Sequence, residues 1–247
     1  MTGPQSTLAL SKGEFQKIWA QRKFKVFLII FALVIIGGAL LGVIPGSVIK
    51  LTMGNYPYTA LSVMTYVFAP IAIFTSAADF FSGEFDSGQI KVALTRPIAR
   101  YKVLFAKVLA IAGFVGVVFL NTLVLSVVLG VVFSGVSSLS FAMVLAYIVG
   151  YIPMLAVIGL AVLIATLARA GTSCFSLCVF VYIAFHVAGV LFSAVSPALF
   201  TTYLGMGSMV IGSSVPVSGL LSGIAVSLGY AAVCLSAGVL RFSNKEF

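Results

Sequence analysis

Of the 14 basic and 5 acidic residues in this chain, seven crowd into residues 83–107: Glu84, Asp86, Lys91, Arg96, Arg100, Lys102 and Lys107. Two acids precede Gly88 and five bases follow it, on both sides of Pro97. Such a set makes ion pairs and directional hydrogen bonds, the chemistry of docking rather than of bond cleavage. From charge alone, a solvated loop that only fixes topology is an equal reading. The other ionisable candidates are scattered. His186 is the only histidine and sits in an apolar run, VYIAFHVAG. Tyr182, one turn before it, and Asn121 are its candidate partners. No nucleophile–base set and no acid–histidine cluster accompanies them, so an enzyme of lipid metabolism ranks low.

These residues are embedded in hydrocarbon. The chain has 247 residues, 62% of them hydrophobic and only 8% charged, with a mean hydropathy of +1.23. A soluble domain carries about 25% charged residues, so the composition predicts a single-domain polytopic membrane protein. A net charge of +9 invites a nucleic-acid reading. The charges lie at the ends of apolar spans instead of in one patch, which argues against it. Cys174, Cys178 and Cys234 all fall in apolar runs and read as small packing residues. The i,i+4 spacing of the first two suits neither a disulfide nor, without a second ligand pair, zinc. One carboxylate near the membrane, Asp79, does not make a cation cage. It is expected instead to pair with Arg169 or Lys107.

An intramembrane ionisable residue is a functional candidate by default. His186 therefore reads either as lining a substrate path or as a neutral imidazole bonded to a neighbouring helix. Proton relay ranks lower, because no carboxylate lies at matching depth. Phe68, Phe74, Phe175, Phe180 and Phe185 read as packing or lipid-facing residues more than as a ligand cage.

In chain order, residues 10–25 predict a basic interfacial helix with Trp19, lying in the headgroup layer. The long charged N-terminal region does not read as a signal peptide. Six spans are expected at about 26–49, 58–81, 103–133, 141–167, 172–193 and 216–240. Gly38 and Gly42 offer a close-packing face in the first, and Pro70 a kink in the second. Residues 194–215 are too broken by Gly, Ser and Pro for a further span. They read as short helices dipping into the outer half, covered by neighbouring helices. With six spans, 13 of the 14 basic residues fall on one side and Lys50 alone lies opposite. The positive-inside rule then makes both termini and residues 83–107 cytoplasmic.

The order Glu84-x3-Gly88, Leu94-x2-Pro97-x2-Arg100 and a later Lys107 resembles the signature between spans 2 and 3 of ABC-2 type transporter permeases. That pattern runs E-x3-G-T, a leucine-rich short helix, P-[ILV]-S-R and a Lys. Gln89 stands here for the usual Thr and Ala99 for the usual Ser. The motif covers about a tenth of the chain, and the six-span layout extends the resemblance over most of it.

The resemblance implies an all-α integral membrane fold of the ABC-2, type V exporter-like kind. Residues 10–25 would be its elbow helix. Residues 83–102 would be a cytoplasmic coupling segment that docks into an ATPase through Glu84, Asp86, Gly88, Leu94, Arg96, Pro97, Arg100 and Lys107. It also implies a second permease copy, identical or similar, two ABC ATPase subunits, and a path lined by spans 2 and 5. Glu84 would pair with Arg100 or with a base of the elbow helix. The chain has no GxxxxGK[ST] loop, so it would hold no cofactor itself, with ATP and Mg in the partner. The expected role is transport, not catalysis: a permease subunit in the cell membrane, with hydrophobic or amphipathic cargo such as a peptide, antibiotic or lipid. The alternative is an ATP-independent channel or secondary transporter. Against it stand the lack of paired intramembrane charges and of internal repeats.

Overall fold

The computed structural model describes residues 4–43, 56–83, 100–134, 141–168, 170–210 and 216–243. Every regular element among them is helical. Six helices are long and apolar enough to cross a membrane, each exceeding the roughly 20 residues that about 30 Å of hydrocarbon requires. They are span 1 (Arg22–Val43), span 2 (Tyr56–Gly83), span 3 (Arg100–Ser134), span 4 (Phe141–Leu167), span 5 (Gly171–Leu191) and span 6 (Val217–Ser243).

A further helix, Pro4–Ala20, precedes them. It is separated from span 1 by a bend at Gln21, whose N–H reaches the Ile18 carbonyl at 3.2 Å. The basic stretch is therefore two helices meeting at residue 21 rather than one helix over residues 10–25. Ile18 is buried from the first and Phe24 from the second. Phe24 sits edge-on to Phe114 of span 3 and stacks on Phe80 of span 2.

Span 4 is the hub. It packs on spans 2, 3, 5 and 6, and 67% of its most apolar window is buried, against 11% for span 5 at the edge. Small residues set the closest contact: a Cβ at Gly159 would come within 3.2 Å of the Ala231 backbone of span 6. Residues 196–210, between spans 5 and 6, form two 3-10 helices, Ser196–Ala198 and Phe200–Val210. The longer one lies across span 4 and buries Phe200, Leu204 and Met206. At Gly207 only glycine fits, since a Cβ would stand 2.6 Å from the Ala146 carbonyl oxygen. The three cysteines are buried and free.

Span 2 is not a uniform α-helix. Two π-helical stretches, Met64–Phe68 and Ala78–Gly83, interrupt it. Such turns add a residue per repeat, shift the side chains that follow, and recur at functional sites. Pro70 does not break the span. It falls at the start of the α-helical stretch Ala69–Ala77, just after the first π turn.

Candidate functional site

The two π stretches of span 2 present two groups of polar and aromatic side chains to span 5 and to the N-terminal helix. The first begins with backbone chemistry. Pro70 has no N–H to offer the carbonyl four residues back, that of Tyr66. The Tyr182 hydroxyl of span 5 donates to that carbonyl at 2.9 Å, supplying the partner that the proline withholds. The Tyr182 ring stacks against His186 with centroids 6.4 Å apart, and Tyr66 meets His186 edge-on at 5.8 Å. Phe74 closes the lower side against Tyr182 at 5.6 Å. From above, Gly205 of the longer 3-10 helix approaches so closely that a Cβ there would lie 2.8 Å from the Tyr66 hydroxyl. His186 is partly buried among these rings.

The second group lies at the opposite end of span 2, where the N-terminal helix packs on span 3. Lys107, seven residues into span 3, has a side chain only 1% exposed. Its ammonium stands 3.5 Å from Oε2 of Glu14. It also lies over the rings of Phe80 and Phe81, 5.6 and 5.9 Å from their centroids, within range of the cation–π attraction. Lys17 takes the other carboxylate oxygen of Glu14 at 2.8 Å. An ion pair buried this far is retained only where several contacts offset the desolvation of both charges.

A second pair, Lys23 with Asp79, joins the start of span 1 to the foot of span 2. It is far more open, with side chains 50% and 28% exposed. Asp79 therefore pairs with Lys23 and not with Lys107. The reason is the face that Lys107 occupies: it turns toward the N-terminal helix, where Glu14 claims it. Arg169, the other expected partner, lies outside the described residues. Ser82 ties the same foot to span 4 by donating to the Ala165 carbonyl at 3.2 Å.

The structure brings together Tyr182 and His186 of the residues singled out from sequence. Asn121 lies apart from them, on span 3, which packs with the N-terminal helix and spans 1, 2, 4 and 6. Arg100 is the first residue of the span 3 helix. Glu84, Asp86, Gly88, Leu94, Arg96 and Pro97 lie outside the described residues, as does the expected pairing of Glu84. Sequence reasoning missed Glu14, Tyr66, Lys23 and the Phe80–Phe81 pair as site residues. One signal for Tyr66 was present: a carbonyl four residues before a proline needs another donor.

Among the described residues, fold and arrangement define an all-helical, multi-pass membrane protein with six helices long and apolar enough to span, and with charged clasps gathered at one end. The chain belongs to the family described as Protein of unknown function (DUF2705), whose model matches residues 43–247. No curated protein matches it.

Proposed function

We propose that this chain is the permease subunit of an ATP-driven exporter of the ABC-2 kind. It forms the translocation path in the cell membrane with a second permease copy, identical or similar, both termini being cytoplasmic. Separate ATPase subunits supply the hydrolysis, with ATP and Mg bound there. The observation that carries the reading joins motif to geometry. The charged segment resembling a coupling element runs between the foot of span 2 and the start of span 3. The N-terminal helix reaches span 3 through Glu14 and Lys107, and the start of span 1 reaches span 2 through Lys23 and Asp79. A push on residues 84–99 would thus pass to both spans and to the helices before them as one body, as rigid-body switching requires.

A path beside span 2 fits the rest. Its first π stretch holds Tyr66 against Tyr182 and His186 of span 5, a lining of rings with few charges that suits hydrophobic or amphipathic cargo. The test is recovery of the complex from native membranes in mild detergent. The intact chain is expected to carry a soluble ATPase with a Walker motif, and a chain altered at Glu84, Gly88 and Arg100 is expected to lose it. An intact, folded chain that carries no ATPase would discard the exporter and bring forward a channel or secondary transporter. Within the complex, Glu84→Gln is expected to lower transport at unchanged ATPase content. Unchanged transport and unchanged ATPase stimulation would remove Glu84 from coupling.

A further inference from the structure

A pocket of about 510 Å³ opens between the second π stretch of span 2 and the first turns of span 5. Its volume is within the usual range for small-molecule sites, roughly 300–1,000 Å³. The lining combines several kinds of group, among them the backbone N–H groups of the first turn of span 5. Asp79 supplies a carboxylate, Thr75, Thr172 and Ser176 supply hydroxyls, and Phe175 supplies an aromatic face. Thr75 already donates its hydroxyl proton to the Ile71 carbonyl at 2.8 Å, and Ser176 to that of Thr172 at 3.1 Å. Both oxygens keep lone pairs to accept with. The one charged group in this lining is thus a carboxylate, with hydroxyl acceptors and an aromatic face turned to the same space.

The charge at its mouth is replaceable. Asp79 is one of two carboxylates among the described residues, the other being Glu14, already held by Lys17 and Lys107. The partner of Asp79 is Lys23, whose side chain is half exposed and swings on a four-carbon stem. Pairs this open are worth about 0–1 kcal/mol. A second ammonium carrying an apolar body would compete for the same carboxylate and would also bury that body against Phe175.

We propose that this pocket is a binding site for amphipathic cations, organic amines whose ammonium displaces Lys23 from Asp79 while their apolar part lies between spans 2 and 5. As a statement about cargo this rests on the exporter reading; as a statement about binding it does not.

The experiment uses the full chain in lipid nanodiscs without any ATPase, and measures fluorescence anisotropy with two probes. Dansylcadaverine carries a primary ammonium, and dansylamide is its neutral counterpart. Dansylcadaverine is expected to bind saturably and more tightly than dansylamide. Lys23→Gln removes the competitor and should tighten dansylcadaverine about two- to fivefold. Asp79→Asn should erase the preference for the cation. Should that variant fail to fold, Ser176→Phe, on an exposed face of span 5, fills the pocket and should weaken both probes. Equal binding of the two probes, or no tightening in Lys23→Gln, would overturn the site. The expected pattern in a chain that recruits no ATPase would uphold the site and overturn the exporter.

Discussion

Two ion pairs stand at the same end of this bundle and differ in everything but charge. Glu14 and Lys107 are buried, their side chains 8% and 1% exposed, and two phenylalanine rings lie under the ammonium. Lys23 and Asp79 are open, at 50% and 28%, and a pocket lies beside the carboxylate. The first pair has no water to fall back on, so it must stay made, and it fixes the N-terminal helix to span 3. The second has a half-exposed lysine that can swing out into water, although the Asp79 Oδ2 that it meets is enclosed. Burial, rather than the ion pair itself, decides which is a fastening and which is a latch.

The contrast makes predictions that fall in size. Glu14→Gln takes the carboxylate from a fully buried ammonium and is expected to cost about 3–5 kcal/mol, read as a large drop in Tm in detergent. Replacing both members, Glu14→Leu with Lys107→Met, should cost clearly less than that single change, because no charge is then left buried without its counterion. A double variant as damaged as the single would mean that packing of the helix, and not charge, holds it in place.

An uncharged contact sharpens the scale. Tyr182→Phe leaves the Tyr66 carbonyl without the hydroxyl that meets it at 2.9 Å. The expected loss is about 1–3 kcal/mol for a buried acceptor left unsatisfied, measured by the same melting curve. Transport by His186→Ala is expected to fall, since its ring is held by both tyrosines; transport that is unchanged in rate and in pH dependence would take this group out of the path. Smallest of all, Lys23→Gln should move stability by no more than about 1 kcal/mol. A loss as large as that of Glu14→Gln would erase the distinction between the two pairs.

The spans were legible because hydropathy and charge counting are local and strong. Charge-free runs of the right length stand between residues 107 and 169 and between 169 and 241, and the helices follow them. What stayed hidden depends on distant or irregular geometry. Glu14 looked like one more residue on the wet face of a basic helix; its burial comes from span 3, 93 residues on. Tyr66 was obscured because a π turn adds a residue and displaces the face that a 3.6-residue period assigns. Lys107, one of the two partners expected for Asp79, faces Glu14 instead, while Lys23 reaches Asp79; charge layer and depth alone do not tell which base faces a carboxylate. His186 with Tyr182 was readable, being separated by one turn of one helix.

The most direct test of the account places a photo-crosslinking amino acid at Gln89, in the charged segment, and in a separate chain at Lys50, in the loop assigned to the opposite side. Both chains are expressed in native cells and irradiated. A crosslink from position 89 to an ATPase with a Walker motif is expected, and none from position 50. No ATPase crosslink from position 89, or an equal one from position 50, would contradict it.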